Sequence, residues 1–549
     1  MTDTTRGYPD LHEHLDALRK KGLVREIDRP MDKDSELHPL VRWQFVGGMA
    51  ESERKAFLFT NVIDGRGRKY DMPVLVGAMA ANREIYATGM GVPLDQIAAR
   101  WDQAIARPIA PRVVVNALCQ EVVLAGADLQ GEGNGLDRLP IPVSTPGFDA
   151  APTLTATNVI TCDPETGVQN MGTYRAALKA TDRLVVRMAT RIGGAGGYAH
   201  YLKYQQQGKS RMPVAVVLGC PPAVAFVGPQ KLPMGVDEFT VAGGLVGAPI
   251  NVVKARTVDL LVPAEAEIVI EGYIDTEYCE PEAPFGESHG HIALEEFNMP
   301  MTVTAITHRK NAIVLSYISQ VTPSESSVMK RVAYEPLYLA HLRDVLGIKG
   351  VKKVSLHEPL TNLRRVMMIT FGQDAQRSEI WRALYGAANF KSDIGKICIA
   401  VNEDINPDNA DALLWAMSYR CNPIEDIVIL GHRGLGHGPA REGGKKEDST
   451  LLIDATIKQP MPPLALPKQE FMERARGIWE ELGLPPLRPQ PPWHGDTAGD
   501  WLPQWDEAAK RTVLGRYLEN GLISAAQRKK GVKPETKFRP DVLEKGSKG

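Results

Sequence analysis

The chain has 549 residues, of which 43% are hydrophobic and 24% charged, a composition typical of a globular protein with roughly two to four domains. Its 64 basic and 66 acidic side chains give a formal charge of −2, which argues against a nucleic-acid-binding protein because phosphate neutralisation needs a basic excess. No run approaches the roughly 20 apolar residues of a membrane-spanning helix. The six widely spaced cysteines form no CxxC pair, and the first residues lack a secretory pattern, so we expect a cytoplasmic protein without a disulfide framework.

The N-terminal pattern predicts a helix over residues 10–21. Asp10 can cap this helix, and Glu13 completes a capping box. Residues 72–80 are typical of a buried strand, and helical spacing returns at 94–107. Three leucines share one face of the first helix, namely Leu11, Leu15 and Leu18.

Between about residues 115 and 320 the sequence consists of short β-rich runs separated by Gly, Pro, Asn and Asp. Examples are TATNVITCD, MPVAVVLG and MTVTAITHRKNAIVLSYIS. This spacing predicts a mainly antiparallel sheet or barrel. Beyond about residue 325, the strand-like segments RRVMMITF, KICIAVNED and DIVIL alternate with helical ones, which predicts an α/β domain. There, Asn406 as cap and Pro407 as first helical residue predict a helix start.

The C-terminal part begins with the proline-rich run PPLRPQPPW at residue 485. Residues 528–549 then carry eight basic and three acidic side chains. A solvated, mobile terminus is the simplest interpretation of this composition.

Carboxylates crowd around a turn in the segment EYCEPEAPFGESHG, residues 277–290. Two glutamates around one arginine leave one carboxyl compensated and the other more easily protonated, which suits a general acid. The neighbouring pair His289 and His291, together with Glu238, leaves a metal-dependent hydrolase as an alternative. Four glutamates form the cluster, namely Glu277, Glu280, Glu282 and Glu287.

Seven motifs in order resemble the UbiD family of reversible (de)carboxylases, which use prenylated FMN. They are NMGTYR (170–175), LVVRMATRIGG (184–194), MPVAVVLG (212–219), GVDEFTVAGGL (235–245), VPAEAEIVIEGYI (262–274), PEAPFGESHG (281–290) and IDAT (453–456). The resemblance covers roughly residues 10–480. It implies an α/β fold with an N-terminal α/β region, a central split β-barrel that binds the flavin, and a C-terminal α/β oligomerisation domain. We place these at 1–115, 116–322 and 323–484, followed by a proline-rich linker and basic tail at 485–549.

The resemblance also implies the site residues. Asn170 and Glu238 would hold a divalent metal (Mn²⁺, Fe²⁺ or Mg²⁺), with K⁺ as a further candidate ion. The catalytic network would consist of Arg175, Glu282 and Glu287, with Glu287 at the proton-donor position. The residues expected to contact the flavin are Thr173, Tyr174, Arg175, Arg187, Met188, Ala189, Ile192 and Gly193.

The sequence departs from the family pattern at two places. Some members supply a metal-binding histidine where this chain has Arg191, and His200 is the nearest histidine. Many members also have Ser-Lys shortly before the D-A-T motif, with the lysine on the flavin phosphate. Here the candidates for that contact are Thr450, Lys445 and Lys446.

The function expected from the resemblance is decarboxylation or carboxylation of an aromatic or α,β-unsaturated carboxylate. Chain length and the basic C-terminus favour the branch that acts on aromatic acyl-CoA thioesters such as phthaloyl-CoA, with free aromatic acids as the alternative. We expect a homo-oligomer, a dimer or hexamer, that receives its cofactor from a flavin prenyltransferase. A non-catalytic subunit of a multi-subunit carboxylase is a further alternative, which the retained Arg175, Glu282 and Glu287 argue against.

Overall fold

The computed structural model describes residues 6–536, apart from 189–194, 231, 233–234, 364, 373–374, 392–394, 404, 435–446, 454–462, 464, 488, 490–493 and 496–500. The described residues form two compact units. The first unit draws on Met1–Gly286, Ile292–Ile318 and Pro463–Gly549, and the second on Glu287–His291 and Ser319–Pro462. The six cysteines are free. Over these residues no helix has the length and hydropathy needed to cross a membrane.

The N-terminal region confirms the predicted helices, because the capping box and the buried leucine face form as expected in α1. The predicted strand at 72–80 is shorter, and only the fully buried β6 forms there. The elements are α1 Leu11–Lys20, β1 Val24–Ile27, β2 Met31–Asp32, α2 Leu37–Val46, β3 Ala56–Phe59, β4 Val62–Ile63, β5 Lys69–Tyr70, β6 Val74–Val76, α3 Arg83–Met90, α4 Ile97–Ala106 and β7 Arg112–Val113.

The central region is rich in strands, as its short apolar runs predict. The elements are β8 Val122–Ala125, β9 Thr153–Leu154, β10 Thr157–Cys162, β11 Gln169–Gly172, β12 Ala176–Ala180, β13 Arg183–Val186, α5 Gly196–Gln206, β14 Arg211–Leu218, α6 Pro222–Val227, α7 Glu238–Val246, β15 Asn251–Lys254, β16 Leu261–Pro263, β17 Ile268–Asp275, β18 Tyr278–Pro281, β19 Phe285–Gly286, β20 Ile292–Ala293, β21 Phe297–His308 and β22 Val314–Ser316.

The second unit is an α/β domain, as predicted. Its elements are α8 Glu325–Ala340, β23 Val351–Leu356, β24 Val366–Phe371, α9 Arg377–Phe390, β25 Ile397–Asn402, α10 Ala410–Arg420, α11 Pro423–Asp426, β26 Ile427–Gly434 and β27 Glu447–Ile453. They build a five-stranded sheet in the order β23-β24-β25-β27-β26, in which β24, β25 and β27 run parallel.

The predicted helix start at Asn406 and Pro407 is wrong, because α10 begins only at Ala410. The Asn406 side chain accepts a hydrogen bond from the backbone N–H of Asp408 (3.0 Å), and its carbonyl accepts one from Asn409 (3.0 Å). Asn406 therefore stabilises a turn that precedes the helix.

The C-terminal part folds back onto the first unit. It forms α12 Gln469–Glu481, α13 Pro503–Val513, α14 Tyr517–Ala526 and β28 Lys529–Lys530. The interpretation of 528–549 as a solvated terminus is wrong for its first residues, because β28 pairs antiparallel with β18. Apolar residues of β18 and β21 offer this strand an edge to pair with and a surface to pack on.

The largest sheet joins 11 strands of the first unit. Its main path runs β11-β10-β14-β17-β21-β13-β12-β9, with β8 and β18 paired to β21 and β28 paired to β18. All of these pairs are antiparallel, as predicted. The path ends at β11 and β9 without a closed barrel among the described residues, so the split barrel stays a prediction.

Candidate active site

The two predicted metal ligands lie next to each other. Asn170 is in β11, and Glu238 is the first residue of α7, which Asp237 caps through the Phe239 N–H (2.8 Å). The Asn170 amide Nδ2 donates to Glu238 Oε1 (2.7 Å), and the Met171 backbone N–H donates to Oε2 (2.8 Å). Two elements distant in sequence therefore present one amide and one carboxylate at a single point.

This pair fits a divalent cation. Glu238 is buried, and burial raises the pKa of its carboxyl group to about 7. The buried Oδ1 of Asn170 has no hydrogen-bond partner, which leaves a second oxygen donor beside the carboxylate. Oxygen donors of this kind suit Mg²⁺, Mn²⁺ and Fe²⁺. Within the described ranges, no group of three or more His, Cys, Asp or Glu side chains could hold a metal, so Asn170 and Glu238 are the protein ligands to test.

Some family members have a metal-binding histidine where this chain has Arg191. The nearest histidine in this sequence, His200, lies close to Asn170 in the structure. His200 in α5 is buried, and its Nδ1 lies 2.8 Å from the hydroxyl of Thr161. Thr161 is directly opposite Asn170 in the β10–β11 ladder. Burial lowers the pKa of His200, which favours the neutral imidazole that metals bind. Arg191 itself lies outside the described residues.

Arg175 and Glu282 form a buried, two-point ion pair. Arg175 Nε donates to Glu282 Oε1 (2.5 Å), and Nη2 donates to Oε2 (3.0 Å). The side chains are only 10% and 2% exposed. The Arg175 guanidinium carbon also lies 4.7 Å from the ring centre of Phe285, and Asn298 Nδ2 donates to Glu282 Oε2 (3.1 Å). Hydrogen bonds and a cation–π contact therefore hold both side chains in place.

Arg187 extends the ion pair into a network. Its backbone N–H donates to the Arg175 carbonyl (3.1 Å), because β12 and β13 are neighbours in the sheet. Its side chain lies 3.9 Å from Glu282, 3.1 Å from Glu296 and 3.6 Å from Glu535. Glu535 reaches this position because it follows β28, which pairs with the strand that leads to Glu282.

The other residues expected to contact the flavin line the same part of the sheet. Thr173 donates its N–H to the Gly228 carbonyl (3.2 Å). A Cβ on Gly172 would lie 2.4 Å from the Tyr174 ring, and one on Gly197 would lie 2.8 Å from Met188 Sδ, so glycine is required under both side chains. Three predicted contacts, Ala189, Ile192 and Gly193, lie outside the described residues, so the flavin site stays a prediction.

The three candidates for a contact with the flavin phosphate, Thr450, Lys445 and Lys446, belong to the second unit. Thr450 is buried in β27, where its hydroxyl accepts a hydrogen bond from Arg433 Nε (3.2 Å). Lys445 and Lys446 lie outside the described residues. The described structure therefore does not identify which of the three candidates serves the phosphate.

Glu287, the predicted proton donor, directly follows β19 and is half-buried. Its backbone N–H donates to the His291 carbonyl (2.9 Å), and its carbonyl accepts from Gly290 (3.0 Å), which closes a tight turn. Glu287 belongs to the second compact unit, so its role stays a prediction. The rings of His289 and His291 lie 5.8 Å apart, and the described residues place no third metal ligand beside them.

The sequence reasoning did not identify three residues of this network, namely Asn298, Glu296 and Glu535. A polar asparagine among apolar residues of a predicted strand is a sequence signal that could have identified Asn298. In the structure Asn298 lies opposite Glu280 in the β18–β21 ladder. Glu296 accepts the Glu282 N–H at its carbonyl (2.9 Å). Nothing in the local sequence of Glu535 indicates Arg187 as its partner.

Models of three protein domains match consecutive parts of the chain. Residues 15–105, 112–321 and 327–455 match the N-terminal, Rift-related and C-terminal domains of 3-octaprenyl-4-hydroxybenzoate carboxy-lyase, the UbiD family. These matches span most of the chain and confirm the predicted order of three domains. The chain therefore belongs to the UbiD family and is an enzyme of the carboxy-lyase class.

Individual relatives are similar over most of their length. An uncharacterized protein from Archaeoglobus fulgidus is 29% identical over 506 residues, which are 86% of this chain and 98% of the relative. The UbiD-class enzyme HmfF from Pelotomaculum thermopropionicum, solved with FMN, is 27% identical with a TM-score of 0.71 and covers 81% of this chain and 93% of its own. An evolved dimeric form of HmfF, solved with prFMN, is 28% identical with a TM-score of 0.68, over 81% and 94%. The vanillic acid decarboxylase of Sedimentibacter hydroxybenzoicus shares the fold, at 21% identity and a TM-score of 0.67 over 87% and 99%.

Proposed function

We propose that this chain is a prenylated-FMN-dependent enzyme that reversibly removes CO₂ from an aromatic carboxylate. The observation that carries the proposal is the buried, two-point ion pair of Arg175 and Glu282. It occurs in a member of the UbiD family in which the side chains of Asn170 and Glu238 are joined by a hydrogen bond. The HmfF structures, 27% and 28% identical to this chain, contain FMN and prFMN, which supports the same cofactor here.

The cofactor and metal have identifiable positions in this proposal. Asn170 and Glu238 hold the divalent metal, and Thr173, Tyr174, Arg187 and Met188 contact the flavin. Prenylated FMN, when bound, supplies the electron sink for carbon–carbon cleavage. Because prenylated FMN is a modified flavin, a flavin prenyltransferase must supply it.

The chain's own residues bind the substrate and deliver the proton. Arg175 provides the positive charge that offsets the substrate carboxylate and the two glutamates. Loss of CO₂ leaves the bonding electron pair on the substrate side, and that carbon then needs one proton. Glu287 donates this proton as a general acid, while Glu282 keeps Arg175 in place through its two hydrogen bonds.

The substrate class within aromatic carboxylates is a free acid or a CoA thioester of the phthaloyl-CoA type. The basic composition of the C-terminal residues suggests a binding site for the phosphates of a CoA thioester, but their contacts in the structure weaken this argument. Arg528 pairs with Asp275 (3.3 Å), and Lys530 lies 3.7 Å from Glu277, so both cations already face carboxylates of this chain. We therefore treat the free acid and the thioester as equal arms of the test.

The first experiment measures cofactor and reaction together. The protein is produced with a flavin prenyltransferase and denatured, and the absorbance and mass of any released flavin are recorded. The native protein is then incubated with matched aromatic acids and their CoA thioesters, and CO₂ and product are measured. We expect a released flavin with the mass of prenylated FMN and CO₂ from one of the two substrate series.

The alternatives predict other outcomes of the same experiment. A colourless protein that contains only metal and cleaves esters or amides would indicate the hydrolase based on Glu238, His289 and His291. A protein without flavin or turnover would indicate a non-catalytic subunit. Either result would overturn the proposed function.

A further inference from the structure

The terminal segment, residues 529–536, lies along β18 and β21 in the first unit. At one end of this segment, β28 pairs antiparallel with β18. At the other end, Phe297 in β21 donates its backbone N–H to the Thr536 carbonyl (2.8 Å), and its own carbonyl accepts the backbone N–H of Glu535. Val532 packs against the apolar cluster that includes Phe297. Contacts at both ends therefore fix the position of the Glu535 backbone.

The backbone conformation of Glu535 is one that its surroundings must maintain. Glu535 has a φ of 66°, in the left-handed region that residues with a Cβ rarely adopt. Such a conformation persists where neighbouring contacts enforce it, and here the two backbone hydrogen bonds between Phe297 and residues 535–536 do so. With the backbone held in this way, the Glu535 carboxylate lies 3.6 Å from Arg187 Nη2.

Arg187 is the residue through which the terminal segment joins the ion-pair network. Its side chain is 12% exposed and lies among three carboxylates, with Nη1 3.9 Å from Glu282 and Nη2 3.1 Å from Glu296 and 3.6 Å from Glu535. Glu282 is already bound by two hydrogen bonds from Arg175. Because Glu296 and Glu535 approach the same nitrogen of Arg187, together they attract its charge away from Glu282. Loss of Glu535 would weaken that attraction, and Arg187 would then compete with Arg175 for Glu282.

Glu535 comes from a part of the chain outside the matched domains. The other side chains of the network belong to residues 112–321, the Rift-related domain. The last of the three matched domains ends at residue 455. The terminal segment therefore contributes a charged side chain to the site from beyond the part of the chain that the family models describe.

We propose that Glu535 is a positioning residue through which the terminal segment holds the Arg187 side chain in place. With Arg187 held, Glu282 remains bound to Arg175. The inference rests on the proposed function for its catalytic consequence, because that function assigns Arg175 to the substrate and Arg187 to the flavin. Glu535 does not contact the reacting atoms in this scheme. Its effect is on geometry, and a displacement of about 1 Å at a reacting group is enough to lower a rate about 100-fold.

A double-mutant cycle tests whether Glu535 acts through Arg187. Glu535→Gln is made in wild type and in Arg187→Gln. Glu277→Gln is the control, because Glu277 also faces the terminal segment, 3.7 Å from Lys530, but lies outside the network. In wild type, Glu535→Gln should lower kcat about tenfold with KM within about threefold, and in Arg187→Gln it should lower kcat less than about twofold. The control should change kcat less than about twofold in either background.

The temperature midpoint of unfolding supplies a readout that needs neither flavin nor turnover. In wild type, Glu535→Gln should lower the midpoint by roughly 1–2 °C, because Arg187 loses a neighbouring carboxylate. In Arg187→Gln the same substitution should raise the midpoint, because Glu535 and Glu296 then repel each other with no cation between them. The opposite signs distinguish a contact with Arg187 from a general structural role of Glu535.

A charge reversal keeps the test decisive if Arg187→Gln does not fold. Glu535→Lys places a cation beside Arg187 and should lower both kcat and the midpoint further than Glu535→Gln does, whereas Glu277→Lys should change neither. Unchanged kcat and midpoint in the Glu535 variants would overturn the inference, and so would equal losses in the two backgrounds of the cycle. If wild type itself has no flavin and no turnover, the proposed function fails, and the midpoints still decide whether Glu535 holds Arg187.

Discussion

Arg175 and Glu282 depend on each other, because each side chain compensates the buried charge of the other. Both side chains are almost fully buried, and the desolvation of two charges is offset by two direct hydrogen bonds and by the contacts of Asn298 and Phe285. Removal of one partner leaves an uncompensated buried charge, at a cost of about 3–5 kcal/mol. In the proposed function, the same arrangement keeps the Arg175 guanidinium away from water, which would strengthen its attraction for a substrate carboxylate.

Glu287→Gln tests the proton donor. Glutamine preserves the size of the side chain but cannot deliver a proton, so turnover should fall by roughly 10²–10⁴-fold while the protein still purifies with flavin. Incorporation of solvent deuterium into the product carbon should fall in parallel. The measurement is kcat with flavin content determined on the same sample.

A neighbouring glutamate provides the control for this variant. Glu277 is 48% exposed and lies outside the Arg175 network, so Glu277→Gln should behave like wild type. Turnover of Glu287→Gln within a few-fold of wild type would show that Glu287 is not the donor, and Glu282 would then be the next candidate.

Glu238→Ala tests the metal site. The substitution removes the carboxylate that is hydrogen-bonded to Asn170, so metal and flavin content should fall together. Metal analysis and flavin absorbance of the purified variant measure both quantities. Asp237→Ala serves as the control, because it removes the helix cap but keeps the ligand. Normal flavin and metal content in Glu238→Ala would refute the assignment.

The buried Asp149 makes the stability of the protein depend on pH. Burial raises its pKa to about 7, although the hydrogen bonds from Thr145 act in the opposite direction. Between its ordinary pKa near 3.8 and pH 7 the folded protein keeps a proton that the unfolded chain releases. Its contribution to the free energy of unfolding is therefore complete below about pH 4 and is lost as the pH rises through 7.

Asp149→Asn should remove this dependence. Urea unfolding between pH 4.5 and 8 should give a flatter curve of unfolding free energy for the variant than for wild type. Asp32 and Glu238, whose pKa values burial also raises, titrate in both proteins and cancel in the comparison. Parallel curves for the two proteins would contradict the raised pKa of Asp149.

At the level of elements, β28 covers the edge of β18, the strand that leads to the predicted catalytic glutamates. Beyond β28 the chain continues along β21, where the Phe297 N–H donates to the Thr536 carbonyl (2.8 Å) and Glu535 donates to Phe297. Val532 packs against Cys279 and Phe297. An unpaired edge strand in this position would expose both apolar side chains and a row of backbone hydrogen-bonding groups.

Truncation after Gln527 should therefore expose Cys279. This thiol is 1% exposed in the folded chain, and burial raises its pKa to about 11, so it should be inert in wild type. We expect one additional thiol to react with an aromatic disulfide reagent after truncation, located at Cys279 by mass spectrometry.

A shorter truncation separates this effect from that of the terminal residues. Removal of residues 537–549 alone retains β28, Val532 and Glu535, so Cys279 should stay unreactive. Equal protection of Cys279 in both truncations would show that β28 does not cover β18.

At the scale of the whole molecule, the second unit exposes apolar side chains that an oligomer would cover. Ile424 is 92% exposed and Ile429 is 70% exposed, and both lie in the predicted oligomerisation domain. Clustered exposed apolar residues often mark protein–protein contacts. We therefore expect the wild-type protein to be a dimer or hexamer in light scattering, and the double substitution of Ile424→Glu and Ile429→Glu to lower its mass.

Val115→Glu is the matched control for this prediction. Val115 is 91% exposed but belongs to the first unit, outside the predicted oligomerisation domain. It should leave the mass unchanged. A wild-type oligomer that keeps its mass in the double variant would place the interface elsewhere, and a monomeric wild type would refute the expected oligomer.

The sequence alone determined the features that depend on neighbouring residues. The helix α1 forms where its capping box and leucine spacing predict it, and the antiparallel sheet forms where short apolar runs alternate with turn residues. The ordered motifs also identified Asn170 with Glu238 and Arg175 with Glu282 as partners, because a family resemblance carries long-range information that local patterns lack. The Asn406–Pro407 pair wrongly predicted a helix start. An asparagine side chain that accepts a backbone N–H can cap a helix or stabilise a turn, and here it stabilises a turn.

Only the tertiary structure decided the partners that lie far apart in sequence and belong to no motif. Asn298 and Glu535 each reach the Arg175 region because strand pairing brings them there. The basic C-terminal residues have the composition of a solvated tail, and β28 forms because β18 offers an unpaired edge. Local sequence sets propensity and charge, whereas the partner of a buried charge or an edge strand is set by which surfaces the whole fold brings together.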